Sequence, residues 1–185
     1  MPWKNTYTLA LVSNETSDKS KTVVFNAAWA LAEKAAQGRN RFCDAKKYGF
    51  VEVPRNSQSK AFIQLTEADR LYIVGHGDGD TDKIADMTAN QLAAYLKDQG
   101  LSRVGLISLV SCDLGKKGAM AGFGPRFAIN LQSDQVIIHE IRTRSGEVHV
   151  ARDGTKHVYE EKNKEFKKTD PNRIRCIFVD DDGPY

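Results

Sequence analysis

Two residues that can do covalent chemistry each follow a short apolar run in the sequence. His76 comes after the run Leu71–Val74, and Cys112 comes after the run Val104–Val110, which is the most apolar segment of the chain. Residues that follow neighbouring strands of a parallel sheet lie at one edge of that sheet, so we expect the two to meet there. A thiol attacks a carbonyl carbon as the thiolate, and a neighbouring imidazole favours the thiolate and later protonates the leaving amine. The pattern predicts a cysteine nucleophile assisted by a histidine.

The residues around this pair fit the same chemistry. Gly75 and Gly77 flank His76 and, because they have no side chains, they allow a substrate backbone to approach the imidazole. The carbonyl oxygen that becomes negative during attack needs hydrogen-bond donors already in place, and the backbone amides of Gly77 and Cys112 are the predicted donors. The signature Gln-Ala-Cys-x-Gly, which surrounds the nucleophile of animal caspases, is absent, so those enzymes are not the nearest relatives.

The order of apolar runs and helical patterns predicts the elements that hold the pair. Continuous or alternating apolar stretches predict strands, and apolar residues at three- and four-residue spacing predict helices. Strands are predicted at Tyr7–Val12, Tyr48–Val53, Leu71–Val74, Val104–Val110 and Gln135–Ile141. Helices are predicted through Ala27, Leu31 and Ala35 to an end near Gly38, from the Thr88 and Gln91 capping box to Gly100, and from Pro125 through the inward-facing Phe127, Ala128 and Leu131. The polar stretch Ser13–Lys21 is predicted to be a loop.

A hairpin signal follows these elements. Glu147–Val150 and Lys156–Tyr159 flank Asp153-Gly154, a dipeptide typical of tight hairpin turns. Strands that alternate with helices and are followed by hairpins predict an α/β sandwich, in which helices flank a central, mostly parallel sheet and a C-terminal β-flap follows. We expect a single domain over residues 1–185, with a core at about 7–141 and a basic flap at about 142–179.

Length and composition limit the class of protein. With 185 residues, of which 41% are hydrophobic and 28% charged, the chain has the apolar content of one core and the charge typical of a soluble protein. No apolar run approaches the ~18 residues that span a bilayer, and the N-terminal residues lack the zones of a cleavable signal peptide. The net charge of +3 is too small to imply nucleic acid as a partner. Cys43, Cys112 and Cys176 form neither a disulfide framework nor a zinc motif, and Cys176 is expected to be a buried strand thiol.

Motifs for metal and nucleotide sites are incomplete. Asp78, Asp80 and Asp82 alternate as in a calcium loop, but the turn glycine and the bidentate acid of such a loop are missing. His139-Glu140 is not followed by the second histidine of a zinc peptidase motif. The glycines around the candidate histidine do not have the spacing of a dinucleotide-binding fingerprint. We therefore expect no metal.

Several stretches together resemble one family. LYIVGHGDGD, LISLVSCDLGKKG, GFGPRF, and EVHV followed by DGTKH resemble the autoprocessing cysteine peptidase domain of multifunctional RTX toxins and, more distantly, that of the clostridial glucosylating toxins. Their order and approximate spacing agree from about Phe25 to Arg175. The resemblance implies a caspase-like fold and an autoprocessing endopeptidase whose catalytic dyad is His76 and Cys112. One departure is Ser111, which stands where the family has a glycine before the cysteine.

The same resemblance implies an allosteric activator. The family is switched on by inositol hexakisphosphate, which binds a basic pocket formed partly by the β-flap. Converging cations suit six phosphates, because guanidinium and ammonium groups make charge-assisted hydrogen bonds to phosphate oxygens. The matching positions are Lys34, Arg70, Arg144, Lys156, Lys168 and Arg173. Thr155 and Phe166 depart from the family pattern, at a position where the toxins can carry a basic residue and at one where they carry tryptophan.

The residues alone leave other functions open. The chain could be a catalytically idle module that binds inositol phosphates, with Cys112 as a merely accessible thiol, or a basic adaptor that contacts nucleic acid or acidic protein through the flap. Acidic residues interleave with the basic ones between Arg142 and Arg175, as on a solvated face. For a peptidase, the expected substrate is a polypeptide, either its own chain or a parent toxin, cut after leucine as in the toxin relatives. The resemblance implies a bacterial protein that acts in the host cytosol after delivery.

Overall fold

A computed structural model of the chain describes residues 3–12, 17–37, 62–114, 122–144, 146–160, 165–167 and 174–177. The strands in these ranges are β1 (Thr6–Leu11), β2 (Arg70–Gly75), β3 (Gly77–Asp78), β4 (Lys83–Ile84), β5 (Arg103–Val110), β6 (Ile137–Thr143), β7 (Val148–Val150), β8 (Lys156–Glu160), β9 (Glu165–Lys167) and β10 (Ile174–Ile177). The helices are α1 (Asp18–Gln37), α2 (Ala89–Asp98) and α3 (Phe123–Ser133). None of these described helices is long and apolar enough to cross a bilayer.

The strands form three sheets. The central sheet has the order β1-β2-β5-β6-β10, in which the first four strands are parallel and β10 pairs antiparallel with β6. A small hairpin joins β3 and β4, and β7, β8 and β9 form a three-stranded antiparallel sheet. The predicted α/β fold with a central, mostly parallel sheet is confirmed. Strand β10 falls within the stretch 142–179 that was expected to form the flap, and it pairs with the central sheet.

Helices cover both faces of the central sheet. Successive residues of a strand point to opposite faces, and β2 shows the division. Leu71 and Ile73 belong to the larger core cluster, which contains the buried side chains of α2 and α3. Tyr72 and Val74 belong to a second cluster, which contains those of α1. Because both faces are buried, the central strands are apolar throughout, and each fully buried leucine or isoleucine contributes about 1.5–3 kcal/mol.

Local signals explain where the helices begin and end. The predicted capping box is present at the start of α2, where the Gln91 N–H donates to Thr88 Oγ1 at 3.3 Å and the Thr88 N–H donates to Gln91 Oε1 at 2.9 Å. Gly100 follows α2 with φ of 89°, a conformation that costs glycine little. Helix α1 overlaps the loop predicted at Ser13–Lys21, and that prediction is wrong for residues 18–21. This helix begins at Asp18, inside the expected loop, because Ser17 Oγ accepts the Ser20 N–H at 3.3 Å and polar residues fill the first turn.

Two other predicted boundaries are shifted. Pro125 is the third residue of α3 rather than its first, which the helix tolerates because N–H groups of a first turn have no intrahelical partner. The strand predicted at Gln135–Ile141 begins two residues later, since Gln135 occupies the turn after α3 with φ of 59°. The predicted hairpin is confirmed, with β7 and β8 on either side of Gly154. The strand predicted at Tyr48–Val53 lies outside the described residues.

The β7–β8 turn packs tightly on α1. Gly154 has φ of +70°, and its N–H donates to the Ala151 carbonyl oxygen at 2.9 Å. A Cβ placed on Gly154 would lie 2.5 Å from the Ala30 carbonyl oxygen and 2.7 Å from Lys34 Cβ. The valines of β7 pack against the α1 cluster from the same side. The turn therefore needs glycine for two reasons, its backbone conformation and its closeness to the helix.

Replacing Gly154 with alanine is expected to loosen this contact. The added Cβ is strained at positive φ and overlaps α1, so docking of the hairpin should weaken by about 1–3 kcal/mol. Hydrogen exchange should show the amides of β7 and β8 exchanging faster by tenfold or more, while those of β2 and β5 change little. Arg152→Ala, an exposed change in the same turn, is the matched control. Equal exchange in both variants would contradict tight docking.

Candidate active site

His76 and Cys112 lie at the same edge of the central sheet. His76 directly follows β2, and Cys112 is the second residue after β5. These two strands are parallel neighbours, with Val74 opposite Val110 at their carboxyl ends. Both residues line one cavity of about 260 Å³. The structure therefore brings together the two residues that the sequence singled out for covalent chemistry.

The cavity has apolar walls and a polar rim. Aliphatic residues of α1, of the ends of β2 and β5, and of β7 form the walls; they are Val23, Val24, Ala27, Ala30, Val74, Val110, Val148 and Val150. Asn26, His149 and Arg152 supply the polar side chains besides those of Ser111 and the candidate pair. Aliphatic walls beside a nucleophile suit an aliphatic substrate side chain, since burying it removes apolar surface from water.

Strand β7 holds the sulfur of Cys112. The Val148 N–H donates to Cys112 Sγ at 3.3 Å, and the thiol in turn lies 3.9 Å from the Val148 carbonyl oxygen as a weak donor. The thiol is half-buried. A backbone N–H aimed at sulfur favours negative charge there, because hydrogen bonding to the charged form of a group stabilises that form. This contact is a feature that the sequence did not predict.

The loop after His76 packs against Cys112. A Cβ on Gly77 would overlap the Cys112 carbonyl oxygen and Ser111 Oγ, so only glycine fits at this position. The Ala85 N–H donates to the His76 carbonyl oxygen at 2.8 Å, which makes Gly77 and Ile84 a non-hydrogen-bonded pair of the β3–β4 hairpin. The Gly77 N–H consequently points away from β4. This N–H makes no hydrogen bond to β4, which is a condition for donating to an oxyanion.

Unusual backbone conformations lie close to both candidate residues. Asp82, Ala85 and Asp86 in the loop after His76 have φ of 56°, 47° and 63°, and Asp113 beside Cys112 has φ of 59°. Such conformations cost roughly 1–3 kcal/mol each in residues other than glycine and persist where the surroundings impose them. Here the surroundings include an ion pair between the buried Asp82 and the half-exposed Arg126 of α3, and a hydrogen bond from the Asp113 N–H to the Gly146 carbonyl oxygen at 3.2 Å. Contacts with other parts of the protein therefore stabilise both loops in these conformations.

The three alternating aspartates after His76 have roles within the protein. The Asp78 carboxylate accepts the Thr81 hydroxyl at 2.7 Å and the Asp80 N–H at 2.9 Å. The Thr81 hydroxyl, and after it the Asp80 N–H, lower the pKa of Asp78. Asp82 is buried against Arg126. This loop is therefore shaped by turn and ion-pair contacts.

A second cavity, of about 400 Å³, is lined by cations and lies on the α1 side of the sheet. Its charged residues come from α1, β2, β6 and β8, and they are Lys34, Arg70, Arg142, Arg144 and Lys156. No carboxylate is among the described residues that line it. We call this the basic cavity. Five like charges around one space repel one another, so the arrangement favours a bound anion.

Tyr72 stands between two of these cations. The Arg70 guanidinium lies 4.5 Å and Lys156 Nζ lies 4.2 Å from the centre of its ring, and Lys156 Nζ also donates to the Tyr72 hydroxyl at 3.0 Å. Such cation–π contacts attract but do not neutralise charge. Burial, and after it the positive charges of Arg144 and Arg70, lower the pKa of Lys156 to about 7. An anion in the basic cavity would raise this pKa, because a nearby opposite charge favours the ammonium form.

Four of the six residues expected to bind inositol phosphate are brought together. Lys34, Arg70, Arg144 and Lys156 line the basic cavity, whereas Lys168 and Arg173 lie outside the described residues. Thr155 also lines it, and its hydroxyl accepts Lys34 Nζ at 2.9 Å.

The expected set of ligand residues omitted Arg142. This residue lines the basic cavity while pairing with Glu140 at 2.6 Å. A signal was present in the sequence, because Arg142 lies on β6 and Arg144 directly follows that strand, and a spacing of two places side chains on one face of an extended chain. Tyr72, whose ring lies between two cations of the cavity, had no such signal.

Cys176 provides a contrast to Cys112. It lies on β10 opposite Ile141, packs against the main core and is half-buried. Burial raises the pKa of the Cys176 thiol. The predicted strand is confirmed, and the thiol faces apolar neighbours rather than an imidazole. Cys43 lies outside the described residues.

Comparison with known proteins gives one family. Residues 17–159, most of the chain, match the model of the Peptidase C80 family. No curated protein matches the chain. The matched stretch contains β2, β5, both candidate residues and the β7–β8 hairpin. The chain belongs to the Peptidase C80 family, the autoprocessing cysteine peptidase domain of RTX and clostridial toxins, and is a cysteine peptidase.

Proposed function

We propose that this cysteine peptidase is an endopeptidase in which Cys112 attacks the scissile carbonyl and His76 is the general acid and base. One observation carries the assignment. Both residues line a single cavity at the carboxyl ends of two adjacent parallel strands, where α/β proteins place their reactive groups. The Val148 N–H at the sulfur adds support, because it favours the thiolate.

The proposed reaction uses groups that the described residues supply. His76 takes the proton from Cys112, and the sulfur attacks the carbonyl carbon. The oxyanion accepts hydrogen bonds from the N–H groups of Gly77 and Cys112. The C–N bond then breaks as the imidazolium protonates the leaving amine, and a thioester remains on Cys112. Water attacks this thioester with His76 as base, which releases the new carboxylate and restores the thiol.

We propose inositol hexakisphosphate as the activator, bound in the basic cavity. Five cations and no carboxylate among its described lining residues suit a compact polyanion, and guanidinium groups bind phosphate oxygens in pairs. The low pKa of Lys156 means that part of the charge is suppressed until an anion arrives. Membership of the Peptidase C80 family supports the same ligand. In this proposal the activated domain cuts its own chain or a parent toxin after delivery to the host cytosol.

A single hairpin connects the two cavities. Strand β7 carries Val148, which contacts the sulfur of Cys112, and β8 carries Lys156, which lines the basic cavity. Gly154 in the turn between them packs on α1 beside Lys34. We propose that the bound polyphosphate fixes this hairpin and so aligns the nucleophile. A ligand that binds only the aligned form stabilises it by roughly 2.7 kcal/mol at a hundredfold excess over Kd.

The basic cavity alone would also suit a catalytically idle module that binds inositol phosphates. The two functions differ in what the purified chain does to a polypeptide. An idle module binds inositol hexakisphosphate and cuts nothing, whereas the proposed enzyme cuts itself or an added polypeptide once the ligand is present. Intact mass measured before and after addition of the ligand separates them.

Loss of either member of the pair should abolish cleavage. Cys112→Ala is expected to reduce processing, followed by intact mass, to background, and His76→Ala is expected to reduce it by more than ~100-fold because it removes general acid–base catalysis. Cys176, which is also half-buried, offers the matched control. The Cys176→Ala variant should keep activity within about twofold. Circular dichroism checks that all three variants fold. If the Cys112 variant kept more than a few per cent of the activity, the assignment would be wrong.

Removal of one cation from the basic cavity should weaken activation without damaging catalysis. Arg70→Ala is expected to raise the concentration of inositol hexakisphosphate for half-maximal cleavage about tenfold or more, since a charge-assisted contact contributes about 1.5–3 kcal/mol. Saturating ligand should restore most of the rate, because the catalytic pair is untouched. Lys4→Ala, an exposed change before β1, is the control and should shift activation little. Equal, small shifts in both variants would remove the basic cavity from the proposal.

Ligand binding should be coupled to protonation of Lys156. Its pKa near 7 in the free protein should rise beside phosphate oxygens, because opposite charge favours the ammonium form. Above pH 7, binding should therefore take up a proton, and affinity should fall as pH rises. Without ligand, stability should rise from about pH 7 toward pH 10.5, since the unfolded chain holds more protons there.

Calorimetry at pH 8 in two buffers of different ionisation enthalpy measures the proton uptake. The Lys156→Arg variant keeps its positive charge at every pH used. It should therefore take up fewer protons on binding than wild type does, by as much as one proton per bound ligand. Protons taken up by the phosphates themselves are common to both proteins and cancel in the difference. Identical uptake in the two proteins would show that Lys156 does not titrate on binding.

A further inference from the structure

The rim of the active-site cavity carries positive charge. Arg152 lines this cavity together with Cys112, and it is the one permanently charged side chain among the described lining residues. His149 lines it as well, and both side chains are exposed. The neighbouring carboxylate of Asp153 does not line the cavity and instead accepts the Thr155 N–H at 2.8 Å and the Thr155 hydroxyl at 2.9 Å. A substrate therefore meets a cation beside the aliphatic walls.

Strand β7 can guide an extended peptide along this rim. It is the edge strand of its three-stranded sheet in the described part of the chain. Hydrogen bonds from Tyr159 to Glu147 and from Ala151 to Thr155, both 2.9 Å, lie just outside the two ends of β7, and they place the backbone groups of His149 toward β8. The groups of Val148 and Val150 consequently point the other way, and those of Val148 reach the sulfur of Cys112. The Val150 backbone is thus directed to the side on which a peptide could add as a strand.

The length of this edge fixes which substrate residue would meet Arg152. An extended strand rises about 3.3 Å per residue, and Arg152 follows β7 in the turn, so the Arg152 backbone lies at most roughly 13 Å from Val148. A substrate whose scissile carbon lies at Cys112 then brings a side chain two to four positions away close to the guanidinium. A carboxylate matches a guanidinium in charge and in its two-oxygen geometry.

We propose that this site selects peptides that carry aspartate or glutamate two to four positions from the scissile bond, and that Arg152 reads the acidic residue with His149 as a second donor. The inference rests on the proposed function, because it takes Cys112 as the point of cleavage. Arg152 is a specificity-determining residue in this scheme and not a catalytic one. The preference is a property of the rim, separate from the basic cavity on the other side of the hairpin turn.

Synthetic peptides test the preference directly. Each fluorogenic peptide has leucine before the scissile bond. In each peptide one position, two to four residues from the bond on either side, is varied and carries glutamate, alanine or lysine. Saturating inositol hexakisphosphate keeps the basic cavity occupied, so that it does not attract the acidic peptides itself. At the selected position, kcat/KM for the glutamate peptide should exceed that for the lysine peptide about tenfold in low salt, and the ratio should shrink as salt rises.

Two charge reversals identify the residue responsible. Arg152→Glu should invert the preference toward the lysine peptide. Lys4→Glu makes the same change of net charge two residues before β1, at the sheet edge opposite Cys112, and should leave the preference as it is. Cleavage without charge preference, or an unchanged preference in the Arg152 variant, would overturn the proposal.

Binding separates failure of this inference from failure of the proposed function. Fluorescence anisotropy with the Cys112→Ala variant measures affinity for the same peptides without any turnover. If wild type cut no peptide but this variant bound the glutamate peptide about tenfold more tightly than the lysine peptide, the rim proposal would stand and the catalytic assignment would fall. If no peptide bound, or all bound equally, the rim proposal would be wrong whatever the catalytic result.

Discussion

The contact between the Gly154 turn and α1 positions the β7–β8 hairpin, which contributes residues to both cavities. It leaves no room for a Cβ, because the turn lies directly on the Ala30 carbonyl oxygen and the Lys34 side chain. One strand of the docked hairpin reaches the sulfur of Cys112, and the other supplies Lys156 to the basic cavity. The helix itself contributes walls to both cavities. A movement of the hairpin therefore changes both sites at once.

The two cavities differ in where their charged residues lie. The basic cavity gathers cations from distant parts of the chain, and burial, followed by the positive charges of Arg144 and Arg70, lowers the pKa of Lys156. The active-site cavity is mostly aliphatic, and its charge lies at the rim. In the proposed function, an anion in the first cavity relieves repulsion around β8, and the second cavity binds the peptide substrate. A small polyanion can therefore act on a site that it does not enter, provided that the hairpin links the two.

The sequence predicted best those features that depend on residues close together in the chain. The run Val104–Val110 is apolar on both faces, which predicts a central strand covered on each side, and the capping box at Thr88 predicts the start of a helix. Polar residues at the start of α1 looked like a loop, because a capped first turn and a loop have the same composition. The contact between Val148 and Cys112 joins residues far apart in the chain, and no short-range pattern encodes it. Tyr72 was missed for the same reason, since its role depends on cations from other elements.

The alkylation rate of Cys112 tests most directly whether occupancy of the basic cavity reaches the nucleophile. Iodoacetamide labelling followed by mass spectrometry reports Cys112 and Cys176 in one experiment, and the pKa of Cys176, raised by burial, makes it the internal reference. The coupling described above predicts that Cys112 reacts faster than Cys176 and that inositol hexakisphosphate accelerates it several-fold in wild type but little in Gly154→Ala. A Cys112 rate that is no faster than that of Cys176, or that is the same with and without the ligand in wild type, would contradict it.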